Sequence, residues 1–177
     1  MEWLTYIRKK LFLRAFNKAT PNVDETYKVN LAVTTIGILF DGTTAADRVP
    51  VENLIQELRD NGHEVYPLGY IDNYSVATTY AFKHFYKKNL TFHYLPKHPD
   101  VDKFLAKNYT ILMNLASAEN LPLHYIAKKT HARFKIGPFQ NGVEMYDLMV
   151  QPSDSENTAS LISHIKRILK SIQYSDE

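Results

Sequence analysis

The chain has 177 residues, a net charge of +2 and no cysteine, so disulfides, cysteine nucleophiles and thiolate metal sites are excluded. Its 45% apolar and 12% aromatic content can fill one core. The basic residues near the start break any secretory apolar run, and no segment reaches membrane-spanning length, which reads as a cytoplasmic protein.

Charge is unevenly placed. Residues 1–30 carry Arg8, Lys9, Lys10, Arg14, Lys18 and Lys28 against Glu2, Asp24 and Glu25, which leaves the remainder near neutral. Within that stretch Leu4, Ile7, Leu11 and Ala15 recur at helical spacing, with Trp3, Phe12 and Phe16 widening the stripe, and Lys10, Arg14 and Lys18 fall on another face. The pattern predicts a basic amphipathic helix over 1–19, a connector over 20–33 opened by Thr20-Pro21-Asn22, one α/β domain over 34–174 and a short tail over 175–177.

The domain alternates. Thr35–Phe40 (TIGILF) reads as a buried strand, Pro50–Asn61 as a helix closed by Gly62, and His63–Ile71 as a second strand. Val76–Lys88, rich in rings at i, i+3 and i+6, reads as a helix with its aromatics buried and its lysines solvated. Leu90–Leu95 reads as a third strand, His98–Lys107 as a helix, Tyr109–Leu115 as a fourth strand and Leu121–Thr130 as a helix. Ala132–Ile136 and Tyr146–Val150 complete the strands, with room for an antiparallel edge, and Asn157–Ile172 forms the last helix. Strands separated by helices call for a three-layer sandwich on a mostly parallel five- to six-stranded sheet, Rossmann-like or flavodoxin-like.

In such sheets ligands sit beyond the carboxyl ends of the strands. The loops expected there hold Asp41, Thr43, Thr44, Asp47 and Arg48; Asp72, Asn73 and Ser75; Lys97 and His98; Asn114, Ser117, Glu119 and Asn120; and Gln140 and Asn141. The segment GILFDGTT looks like part of the aspartate-nucleophile motif of haloacid-dehalogenase-type phosphatases. Leu39 stands where the nucleophile would be, so that reaction is lost and Asp41 is left to cap nearby amides. No glycine-rich phosphate cradle occurs. The seven histidines form no metal-ligand spacing, and His124 and His131 read as surface residues. The cations of 128–135 follow a helix end, where the helix dipole favours them. No cofactor and no metal is expected.

Three segments carry a resemblance: GILFDGTT, MNLASAENLPLHYIAKKTHARFKIG at 113–137, and YDLMV at 146–150. Together they resemble an uncharacterised protein family of Bacteroidota bacteria over nearly the whole chain, which implies a lineage and a compartment but no site. A strand (YTILMNL), a helix and then Ala-Arg-Phe-Lys-Ile-Gly is similar to the N-terminal half of bacterial heptosyltransferases. That similarity implies a Rossmann-like fold; glycosyl transfer there needs a second such domain, which these residues do not supply.

Two functions follow as expectations. The first is a non-enzymatic interaction protein whose helix docks on a ribosome or other ribonucleoprotein, with Arg8, Lys9, Lys10, Arg14 and Lys18 on phosphates and Trp3, Ile7 and Leu11 as anchors; peripheral membrane contact is the lesser form of it. The second is a small-molecule or nucleotide-binding enzyme or sensor in which Asp41, Thr43, Thr44, Asp72 and Asn114 converge.

Overall fold

The computed structural model describes residues 2–20, 34–74, 79–139, 145–151 and 157–173. Most of the expected connector, the tail, and Ser75, Gln140 and Asn141 lie outside the described residues. The elements are α1 (Glu2–Lys18), β1 (Thr35–Asp41), α2 (Ala45–Asp60), β2 (Glu64–Ile71), β3 (Lys83–Tyr86), α3 (Pro99–Leu105), β4 (Asn108–Asn114), α4 (Leu121–Lys129), β5 (His131–Pro138), β6 (Leu148–Val150) and α5 (Thr158–Gln173).

The strands form one six-stranded sheet in the order β3-β2-β1-β4-β5-β6, and every pair is parallel. The central strands are apolar on both faces, as a parallel sheet covered on both sides requires. Ile36, Ile38 and Phe40 of β1 face the layer of α2 and α5, where Val51, Leu54, Ile55, Leu161 and Ile165 are buried. Leu39 packs on the opposite layer with Val101, Phe104, Leu123 and Ile126 of α3 and α4. Beyond this shared apolar layer, α2 and α5 are joined by a Lys166–Glu57 ion pair and by the Thr158 hydroxyl, which donates to Asp47 at 2.9 Å.

Three boundaries depart from the expected ones. α2 begins five residues before Pro50 because Thr44 caps it, its hydroxyl accepting from the Asp47 amide at 3.2 Å. Pro50 therefore sits inside the helix, where it forfeits one backbone bond. The segment read as an aromatic helix is instead the strand β3. From Tyr80 the rings repeat every second residue, and Tyr80, Phe82, His84 and Tyr86 meet along one side, mostly edge to face, with centroids 4.9 to 6.1 Å apart, while Phe85 enters the opposite core. Since β3 is spent at 83–86, the expected strand at 90–95 becomes a turn, closed by a single antiparallel bridge between Leu90 and Pro96. Tyr94 occupies it at φ 60°.

No antiparallel edge exists among the described strands. β6 pairs in parallel with Ile136, Gly137 and Pro138 at the end of β5, over three residues.

Candidate functional site

The two neighbouring central strands send their chains to opposite faces: β1 leads into α2 and β4 into α4. The crevice this creates lies between their carboxyl ends. Asp41, the last residue of β1, bridges it. One carboxylate oxygen accepts from the Thr43 amide at 2.9 Å and the other from the Asn120 side chain at 3.1 Å, which ties the β1 and β4 loops together. Thr43 extends the tie to β2, its hydroxyl accepting from the Asp72 amide at 2.9 Å. Arg48 donates to the carbonyl of Gly42 at 2.8 Å and so pins the same turn from below.

Asp72 follows the end of β2. Its carboxylate accepts from the Tyr70 hydroxyl at 2.8 Å and pairs with Lys87 at 3.0 Å. Burial works to raise its pKa, but the bonds from Lys87 and Tyr70 outweigh burial and hold it below the usual carboxylate value. The bond to Asp72 raises the Lys87 pKa in turn. Asp72 is thus an anion at neutral pH, with half of its side chain open to solvent.

Asp41, Thr43 and Asp72 are therefore brought together as expected, whereas Thr44 is engaged as the α2 cap. Asn114 departs from expectation. It is fully buried, and its amide nitrogen donates to the Tyr146 hydroxyl at 2.6 Å. His124, expected at the surface, is also buried. The chain of bonds assigns itself. His124 Nε2 lies 3.1 Å from the Ser117 carbonyl and must carry the proton, so Nδ1 accepts from the Tyr146 hydroxyl at 2.8 Å. Asn114 also accepts from the Ala116 amide at 3.2 Å. Every member has a partner, so the network fixes the β4–α4 loop from beneath and offers nothing to a ligand. A local reading missed it because Tyr146 lies 32 residues from Asn114.

Burial lowers the His124 pKa below 6.5, the value it regains on unfolding, so the native state keeps the ring neutral. Below about pH 6.5 the unfolded chain binds a proton that the native chain declines, and stability falls with falling pH. Urea midpoints between about pH 7.5 and pH 5.5 should decline in the native protein and less so in His124→Gln; equal slopes would remove His124 as the cause.

α1 folds back on its own domain. Phe12 and Phe16 are buried and stacked, Phe12 meets Tyr125 of α4 edge-on at 6.4 Å, and the Lys128 ammonium lies 4.3 Å over the Phe16 ring. Arg8 turns inward. Its Nε donates to the Phe92 carbonyl at 2.8 Å, and its guanidinium lies 4.0 Å over the Tyr94 ring. Ile7 and Leu11 are half-buried. Trp3, Leu4, Tyr6 and Leu13 stay exposed, together with Lys9, Lys10, Arg14 and Lys18.

Seated this way, α1 walls a cleft of about 720 Å³ at the carboxyl edge, with Arg8 and Lys9 on one side and Asp41, Asp72, Tyr74 and Lys88 among the others. A smaller cleft of about 470 Å³ lies on the far side of Asp41, toward α5, lined by Asp41, Asp47 and Glu119 and, among the described residues, by no cation. Among the described residues no cluster of three or more histidines or carboxylates is placed to hold a metal ion, and no helix is long and apolar enough to cross a membrane. Lys135, within the basic run after α4, donates to the Ala127 carbonyl at 3.0 Å and so serves as a helix-end cation, as expected.

These features define an α/β domain of Rossmann strand order whose own N-terminal helix flanks the ligand edge of the sheet. The chain belongs to DUF6913, a family of unknown function whose model matches residues 7–172. No curated protein and no solved structure matches it.

Proposed function

We propose that the protein is a non-enzymatic interaction protein that docks through the outward face of α1 on a ribosome or other ribonucleoprotein particle in the cytoplasm of a bacterium of the Bacteroidota. The observation that carries the reading is the division of α1 into two faces. The inner face is spent on Phe12, Phe16 and Arg8. The outer face leaves Trp3 67%, Tyr6 66% and Leu13 53% exposed beside Lys9, Lys10, Arg14 and Lys18. Exposed large apolar side chains gathered on one element mark an interaction surface, and cations spaced among them suit phosphates. Membrane binding is the weaker reading, because an interfacial helix segregates its apolar and charged faces. Here, contrary to the separate faces expected from spacing, Lys10 and Arg14 stand within the same exposed face as Trp3, Tyr6 and Leu13, because Phe12 and Phe16 take the buried side. The similarity to one half of the heptosyltransferases contributes only the fold to this reading.

Sedimentation of native lysate through a sucrose gradient tests it on the full chain. Native protein is expected with ribosomal particles at low salt, and both raised salt and Lys10→Glu with Arg14→Glu should return it to the top. Protein that stays at the top at every salt concentration, or that travels with membrane vesicles instead, overturns the proposal.

A further inference from the structure

The cleft between α1 and the sheet holds charges of both signs. Arg8, Lys9, Lys87 and Lys88 line it against Asp41, Asp72 and Glu119. A bare polyanion meets three carboxylates there, so the lining favours a ligand that brings anionic groups and hydrogen-bond donors together. Aromatic faces complete it. Tyr74 is 68% and Phe92 50% exposed, and Tyr94 is held at φ 60°, a left-handed backbone that costs a non-glycine residue energy and is tolerated mainly where neighbours over-determine it. Among the described residues Lys9 and Lys88 have no carboxylate partner, whereas Lys87 is committed to Asp72. The position is also informative. In dinucleotide-binding sheets of this strand order, which carry a glycine-rich phosphate turn that this chain lacks, a carboxylate past β2 takes ribose hydroxyls, and Asp72 follows the end of β2 here. The first turn of α2 cannot take the phosphate, since Asp47 fills it with negative charge.

We infer that this cleft binds a nucleoside phosphate, with ribose hydroxyls donating to Asp72, phosphate oxygens accepting from Lys9 and Lys88, and the base stacking on the Tyr74 and Phe92 rings. A volume of about 720 Å³ suits one such ligand. The site shares Lys9 with the docking face and is otherwise separate from it. Lys88 and Tyr74 belong to the sheet's carboxyl-edge loops, whereas Lys10 and Arg14 are exposed on α1 and absent from the cleft wall.

Equilibrium dialysis of the full-length protein against ADP, adenosine and pyrophosphate tests the inference. ADP should bind more tightly than either fragment. Lys88→Glu should weaken it about tenfold or more and Tyr74→Ala about fivefold or more, both at exposed positions where folding is not at stake. Lys10→Glu with Arg14→Glu should leave ADP retention unchanged, which separates this site from the docking surface. Absence of ADP binding at millimolar concentration, pyrophosphate binding as tight as ADP, or affinities unmoved by Lys88→Glu and Tyr74→Ala overturns the inference.

Discussion

Truncating Phe40 to alanine is expected to lower stability by about 3–5 kcal/mol, enough to unfold a large share of a domain of ordinary stability. Phe40 is fully buried near the end of β1, and its ring meets Phe82 edge-on at 4.8 Å. It belongs to the larger core layer, with residues of α2, α5 and four other strands. Two glycines on neighbouring segments depend on the same space. A Cβ at Gly69 would come within 3.2 Å of the Phe40 ring and one at Gly42 within 3.5 Å, so no larger side chain stands ready to fill the hole. Urea unfolding measures the cost. A loss below about 1 kcal/mol would mean that Phe82 swings inward and closes the gap, and that the contact is less exclusive than its geometry implies.

Gly137→Ala is expected to cost about 2–4 kcal/mol through a different route. A Cβ at this position would overlap the Tyr146 ring, with Cδ1 only 2.7 Å away. The ring cannot retreat freely, because its hydroxyl receives the Asn114 amide and donates to His124. Relief of the overlap therefore strains the packing and strands buried polar groups together, each at about 1–3 kcal/mol. A double-mutant cycle isolates the cause: in a Tyr146→Ala background the same alanine should be nearly neutral. If Gly137→Ala costs as much there as in the native chain, the penalty belongs to the β5 backbone and the ring is not responsible.

Much of the fold was legible because the signals were local. The TIGILF run, the Gly62 stop and the apolar stripes of α2 and α5 each follow from neighbours within a few residues. β3 was not, because its rings satisfy helical spacing and strand alternation at once, and only pairing with Leu68–Ile71 decides between them. The site divides in the same way. Asp41, Thr43 and Asp72 were found from their places at strand ends. Asn114 shared that signal and is nonetheless structural, since its partners Tyr146 and His124 arrive from elsewhere in the chain. Lys88, Tyr74 and Phe92 entered the cleft only once the 90–96 segment proved to be a turn, and the inner face of α1 became readable only against Tyr125.

The placement of Trp3 has an optical consequence. It is the chain's single tryptophan, and it stands at the start of α1, exposed, rather than in either core layer. Emission excited at the red edge of the aromatic band therefore reports on the arm alone, whereas the amide circular dichroism signal is dominated by the α/β body. The two probes watch different parts of one molecule. A blue shift on mixing with a particle would register capture of the arm while the body stays folded, and thermal transitions that fail to coincide between the probes would measure how independently the arm lets go.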